Sequence, residues 1–365
     1  MFIVVNKMEA LQDKYLARIR ALKLNFERSA IDLLDTEHRL IGIKGPRGTG
    51  KTTMLLQYAR KQANFRAEVL YASLDSFWFA GNSLYRLADE FVKKGGRTLL
   101  LDEVHKYTNW AQELKNIYDD FADLKVIFTG SSLLEILTAR ADLSRRAVVY
   151  ELQGLSFREY IALETGRTVS VVDFDDLISG HAEIAAGILE EVKPFAHLDA
   201  YLRHGYYPFY NESVSLYPHK LEAVINMILE VELPQLRALD VAYTSKLRQL
   251  LSILAESAPF VPNATKLSER IGINRLTLLQ YLHHLRDAGL LIHLNKQGKG
   301  ISQLQKPAKL YLDNTNLAYL LSEQTNTGTL RETFFANQVG VVHDINYTDQ
   351  GDFLVAGRWS FEVGG

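Results

Sequence analysis

The chain has 365 residues, of which 47% are hydrophobic and 23% charged, with a net charge of -2. This is the composition of an ordinary globular protein too long for one compact core, so several domains are expected. With no cysteine, disulfides and thiolate metal sites are excluded. Because the chain has neither a run of about 18 apolar residues nor a cleavage-site pattern after Met1, a soluble cytoplasmic protein with no membrane partner is expected.

Between Leu11 and Leu34, apolar residues recur at helical spacing (Leu11, Tyr15, Ile19, Leu22, then Phe26, Ile31, Leu34), which predicts one or two helices covering the first strand. That strand is Leu40-Ile41-Gly42-Ile43, and a helix-permissive stretch runs from Thr53 to Arg60. Between them stands Gly45-Pro46-Arg47-Gly48-Thr49-Gly50-Lys51-Thr52. Its glycines open backbone conformations closed to other residues, so successive N–H groups can turn inward around a polyphosphate while the helix dipole adds favourable charge. Residues Gly45 to Thr53 are therefore the candidate nucleotide cradle, with Lys51 reaching the β- and γ-phosphates and the Thr52 hydroxyl holding Mg²⁺. The plain alternative is a glycine-rich turn with an accidental Lys-Thr, and the strand and helix flanks argue against it.

Ala67 to Asp75 alternates like a strand and Asn82 to Lys94 reads as a helix. Arg97-Thr98-Leu99-Leu100-Leu101-Asp102-Glu103 then reads as a strand buried on both faces whose apolar run ends in two carboxylates, at the edge where open α/β sheets bind ligands. Asp102 is placed to hold the Mg²⁺ shell and Glu103 to polarise an attacking water. Lys125 to Phe128 is a further buried strand ending in Thr129-Gly130-Ser131-Ser132, which makes Thr129 and Ser131 candidates for contact with a γ-phosphate or that water. Arg145 and Arg146 stand just before a fifth strand, and either can neutralise transition-state charge in its own site or in a neighbour's. Solvated turn residues are the plain alternative for the acids and the arginines, and the phosphate loop upstream tips the balance.

Gly45 to Thr52, Leu99 to Glu103, Thr129 to Ser132 and the Arg145-Arg146 pair resemble the Walker A, Walker B, sensor-1 and arginine-finger elements of AAA-type ATPases. More narrowly, Asp102-Glu103-Val104-His105-Lys106 with Asn109-Trp110, and Gly154-Leu155-Ser156-Phe157-Arg158-Glu159-Tyr160, resemble the archaeal and bacterial members that carry an uncharacterised C-terminal domain. The resemblance implies a five-stranded parallel core whose central strand feeds the phosphate loop, and ATP rather than GTP as the nucleotide.

From Ser156 to Asp240 the pattern is helical, as in the small lid that follows such a core. Tyr201-Leu202-Arg203-His204-Gly205-Tyr206-Tyr207-Pro208-Phe209 stands where the family has a Gly-Gly-x-Pro turn, with Tyr206 in place of one glycine. This leaves open a nucleotide-facing turn with Arg203 as a sensor, or a loop packed by its own aromatics. From Tyr243 to Leu310, helices followed by a hairpin resemble a winged helix. That segment holds ten Lys and Arg against three acids, so it carries +7 and leaves -9 on the rest. Such an excess suits a phosphate backbone, with Arg275, Thr277, Gln280 and His284 toward a major groove and Lys296 and Lys299 on the wing. Protein contact or autoinhibition is the alternative.

In the last segment, Asp352 and Glu362 resemble the acidic core of restriction-endonuclease-like folds. The lysine expected two residues after Glu362 is replaced by Gly364, so a truncated domain bearing an acid pair on a solvated hairpin is the favoured reading. The expected organisation is α/β: a P-loop NTPase sheet of AAA type (1–153), a helical lid (154–242), a winged helix (243–312) and a partial α+β domain (313–365). The expected function is Mg²⁺-dependent ATP hydrolysis, with ADP as product, coupled to rearrangement of the winged helix, on DNA or within a homo-oligomer. A nucleotide-gated DNA-binding or signalling switch with little turnover is the alternative.

Overall fold

A computed structural model describes residues 7–22, 26–35, 37–130, 143, 145–234, 243–257, 261–296, 306–322 and 325–364. The chain forms two compact units, 1–153 and 154–365. Ser131, Ser132 and Lys299 lie outside the described residues.

The first unit begins with α1 (Lys7–Ala21) and continues through β1 (Leu40–Lys44), α2 (Lys51–Lys61), β2 (Val69–Ser73), α3 (Leu84–Lys93), β3 (Thr98–Asp102), α4 (Trp110–Asp120), β4 (Lys125–Gly130) and β5 (Val148–Glu151). The five strands form one parallel sheet in the order β2-β3-β4-β1-β5. This is the α/β P-loop NTPase fold. β4, not β1, is the middle strand, which corrects the expectation that the central strand feeds the loop. β1 lies between β4 and β5, where the order of connection reverses, and ligands bind at such a reversal beyond the strand C-termini.

The apolar run of β3 follows from its position. Leu99 and Leu101 enter one core with Leu87 and Phe91 of α3 and Leu114 and Ile117 of α4, while Leu100 enters another with Met54 and Leu55 of α2. A strand with cores on both faces needs every residue apolar, and the run ends where burial gives way to the site. α1 lies against β2 rather than over the first strand: Tyr15 and Gln12 donate to the carbonyls of Phe65 and Arg66, and Arg18 donates to Tyr71. β2 is an edge strand, and an edge left open is a template for unwanted pairing.

The second unit contains α5 (Phe157–Thr165), α6 (Phe174–Glu191), α7 (Pro194–Ala200) and α8 (Tyr217–Met227), then α9 (Thr244–Ser257), α10 (Ala264–Ile271), α11 (Arg275–Asp287), and the antiparallel hairpin β6 (Leu291–Leu294) with β7 (Lys309–Leu312). It continues through α12 (Thr315–Leu321) and α13 (Thr327–Gly340) to a three-stranded antiparallel sheet of β8 (Ile345–Asn346), β9 (Phe353–Val355) and β10 (Trp359–Phe361). Side-chain caps from Asn263 and Asn274 open α10 and α11, and Gly272, at φ 72°, closes α10.

The aromatic turn after α7 is packed by its own rings. Tyr201, Tyr206 and Tyr207 are buried, and the buried Asn316 accepts the Tyr206 N–H at 2.9 Å while donating to the carbonyls of Tyr201 and Leu202 at 3.0 and 2.8 Å. A Cβ on Gly205 would come within 2.6 Å of the Tyr201 ring, so glycine is required there for close approach. Arg203 pairs with Asp199 at 2.9 Å.

Asp352 is not simply a solvated acid. Its Oδ1 accepts from Lys309 Nζ at 3.0 Å and its Oδ2 from the Val363 N–H at 3.0 Å, and Lys309 also donates to Glu332 at 2.6 Å. Glu362, across the hairpin, is exposed.

Candidate functional site

The site is assembled at the C-terminal ends of β1, β3 and β4. The loop leaving β1 bends through Gly48 at φ 84° and Gly50 at φ 90°, left-handed conformations that favour glycine. Gly45 has a different reason: a Cβ there would sit 2.1 Å from the Leu152 carbonyl oxygen. Within the loop, the buried Thr49 hydroxyl donates to the Pro46 carbonyl at 2.9 Å. Lys51 opens α2, and its ammonium lies across the loop, donating to the carbonyls of Gly45 and Pro46 at 2.8 and 2.7 Å. Gly50, as N-cap, offers no side chain to the helix end, so the amides of the first turn point out of α2 toward the loop. The side chain of Thr53 is exposed, which leaves its backbone N–H as the group that can serve. Arg47 is partly exposed on the loop.

Asp102 ends β3 with only 2% of its surface exposed. Its Oδ2 accepts from the Thr52 hydroxyl at 2.7 Å and from the Tyr71 hydroxyl at 2.8 Å, and its Oδ1 accepts from Thr129. The Thr129 hydroxyl in turn accepts the Glu103 N–H at 3.3 Å. Glu103 stands at φ 55°, a left-handed conformation costly for a residue with a side chain, and one that tends to persist where its surroundings impose it. Its carboxylate lies 3.4 Å from Nε2 of His105, whose side chain is 4% exposed. Burial, reinforced by the positive charges of Lys106, Lys51 and Arg47, pushes His105 down to about 4, so it is neutral near pH 7.

Thus Thr52, Asp102, Glu103 and Thr129 are joined by hydrogen bonds beside the loop that Lys51 crosses, while the arginines stand apart from them. Arg146 forms a two-bond fork with Asp119, both at 2.9 Å, and Arg145 is exposed. Three residues escaped the sequence reading. The buried Arg28 donates to the carbonyls of Thr49 and Gln153 at 2.6 and 2.8 Å, and so ties the phosphate loop to the end of β5. Gln57 of α2 holds the chain before it through the Phe26 carbonyl. Tyr71 reaches Asp102 from the neighbouring strand β2. Arg28 stands twelve residues before β1, and no local pattern pointed to it or to Tyr71.

The donor set suits a hard cation. A hydroxyl and a carboxylate are oxygen ligands of the kind Mg²⁺ takes in small number beside substrate phosphates, and Thr52 can donate to Asp102 while keeping a lone pair free. Among the described residues no group of three or more His, Asp or Glu is arranged to hold a metal, and none is needed for an ion held partly by phosphates. No described helix is long and apolar enough to cross a membrane.

No curated protein matches the chain. Among solved structures it is similar to a Walker-type ATPase of Pyrococcus abyssi, at 11% identity over 85% of this chain and 94% of that one, with a TM-score of 0.46. It is also similar to the ORC1 protein of Aeropyrum pernix in complex with DNA, at 16% identity over 86% and 92%, TM-score 0.32. AMPPCP-bound DnaA from Aquifex aeolicus matches at 15% identity over 78% and 90%, TM-score 0.28. Residues 37–161, which contain the loop, Asp102 and Glu103 and all five strands of the parallel sheet, but not α1, match a family model described as an AAA domain.

Proposed function

We propose that the first unit binds ATP with Mg²⁺ and hydrolyses it, and that the second unit responds to the state of the nucleotide. The observation that carries this reading is the convergence of Thr52 and Thr129 on the buried Asp102 beside a glycine-bent loop. The AAA-domain match supports ATP as the nucleotide. The loop amides from Gly48 to Thr53 and the Lys51 ammonium hold the phosphates; Lys51 exchanges its two loop carbonyls for them. Thr52 and Asp102 hold the cation, which when bound neutralises charge on the phosphate oxygens. Glu103 orients the attacking water, and Thr129 keeps Asp102 and the Glu103 backbone in register. Catalysis is positioning and electrostatics, with little covalent chemistry for the protein to do.

Arg145, exposed at the start of β5, is the better of the two arginines for a finger reaching a neighbouring copy, because Arg146 is engaged by Asp119. The test is single-turnover hydrolysis with Lys51→Ala and Glu103→Gln; wild-type rates in both would overturn the assignment. Oligomeric state with and without ATP tests the role of Arg145 in trans.

The element order α9, α10, α11, β6, β7 supports a winged helix, and the exposed Lys266, Arg270, Arg275 and Gln280 support contact with DNA. The charge available is smaller than the local sum, because Arg248, Lys296 and Lys309 pair with Glu230, Asp349, and Glu332 with Asp352, all acids from outside the segment. Binding measured across salt concentrations, with Lys266→Ala and Arg275→Ala, tests this contact. The Arg146–Asp119 fork favours a second reading, a nucleotide-gated switch with little turnover. Tight ATP binding without phosphate release would select it.

A further inference from the structure

We propose that Tyr71 and Arg18 are positioning residues for the cation-holding carboxylate of Asp102, so that the N-terminal helix helps to set the divalent-cation affinity of the site. The inference rests on the nucleotide reading above.

Arg18 Nη1 lies 2.6 Å from the Tyr71 hydroxyl oxygen, and a guanidinium donates but cannot accept. The Tyr71 oxygen is therefore the acceptor of that bond, and its own proton is left for Asp102 Oδ2, 2.8 Å away. The same reasoning fixes Thr129, which accepts the Glu103 N–H and so turns its proton to Oδ1. A carboxylate offers about four lone-pair directions. Thr52, Tyr71 and Thr129 fill three of them, and one remains for a cation or its water.

Two of these hydroxyls belong to the sequence reading of the nucleotide site, and the third does not. Tyr71 is 4% exposed on β2, and Asp102 is 2% exposed on β3. Arg18 is exposed on α1, so the chain of donors runs from the surface to a buried acid. Groups that orient a metal-holding side chain without touching the metal set its affinity: they remove the freedom of that side chain to turn away. Here the Arg18 charge strengthens the Tyr71 donor, and Tyr71 fixes the plane of the carboxylate.

The experiment measures Mn²⁺ binding in the presence of ATP from the loss of the free-ion electron paramagnetic resonance signal, and measures ATP affinity separately without divalent cation. Tyr71→Phe keeps the ring and removes the donor, and is expected to weaken Mn²⁺ about tenfold while leaving metal-free ATP affinity near wild type, with a stability loss no larger than that of one hydrogen bond to a charged group. Arg18→Met is expected to weaken Mn²⁺ by a smaller factor and Arg18→Lys, which keeps a donor, to restore it. An unchanged Mn²⁺ midpoint in a folded Tyr71→Phe protein would overturn the inference and leave Tyr71 a packing residue. An equal loss of metal-free ATP affinity would also overturn it, because the effect would then act on the phosphate loop. A wild-type protein that binds no ATP would remove the nucleotide reading itself, and this inference with it.

Discussion

The Thr52 hydroxyl donates to Asp102 Oδ2 at 2.7 Å across fifty positions of sequence, joining the first turn of α2 to the end of β3. Both groups are drawn from water, so the bond supports the fold as well as any ligand. Replacing Thr52 by Val keeps the shape and deletes the donor to a buried charge, a loss of about 1.5–3 kcal/mol. Thr52→Ser keeps the donor and is expected to stay near wild type. Urea denaturation of the nucleotide-free protein separates the two, and equal midpoints for Val and wild type would show that the bond carries no stability.

Arg28 predicts a coupled loss of stability and nucleotide affinity. Its guanidinium satisfies the buried Thr49 carbonyl and the part-buried Gln153 carbonyl, at 2.6 and 2.8 Å, with two donors set in one plane. Arg28→Ala removes the guanidinium donors from both carbonyls, at a cost of about 2–4 kcal/mol. A lysine has no planar fork, so Arg28→Lys recovers less than half of the loss. ATP affinity should fall in the same order, because the Thr49 carbonyl belongs to the phosphate loop. Denaturation and equilibrium ATP binding on the two variants check both effects.

His105 gives the first unit a pH dependence of defined sign. In the folded chain burial pushes it down to about 4, whereas in the unfolded chain it returns to an ordinary value of about 6.5. Between these values the unfolded state binds a proton that the folded state excludes, so stability is complete above about 6.5 and falls as the pH is lowered toward about 4. The full difference amounts to roughly 3 kcal/mol. His293 in the second unit, pushed down to about 3 by burial, acts in the same direction there. His105→Gln should flatten the acid limb of the first unit's stability profile. An unaltered limb would mean that the imidazole titrates normally.

Local rules made some of these features legible in the sequence. Gly48 and Gly50 could be read because their backbone angles exclude most side chains, and Asp102 because a run of residues buried on both faces stops at the site. Tyr71 could not be read, since its contact with Asp102 depends on β2 lying beside β3, and the strand order was not in the pattern. The basic excess of 243–310 overstates the free charge for a related reason. Charge was summed along the chain, but Glu230, Glu332, Asp349 and Asp352 come back to it in space. Ser131 and Lys299 lie outside the described residues, so their roles stay as the sequence left them.

Lys309 is held between two acids. Its side chain on β7 is 11% exposed and pairs with Glu332 of α13, 13% exposed, and with Asp352 before β9, 23% exposed. Burial alone would lower the ammonium, but Glu332 and Asp352 outweigh it and hold Lys309 above the usual lysine range. Tyr311 donates a further bond to Glu332 at 2.6 Å. Lys309→Met keeps the packing of the stem and leaves two acids facing each other with little water, a loss of about 3–5 kcal/mol at neutral pH. Acid removes the repulsion between the two carboxylates, so the defect should shrink as the pH falls. Adding Glu332→Gln should recover part of the loss at neutral pH, because it removes one of the two uncompensated charges. Denaturation of the single and double variants at neutral and acidic pH measures all three effects, and a defect independent of pH would assign the role of Lys309 to packing instead of charge.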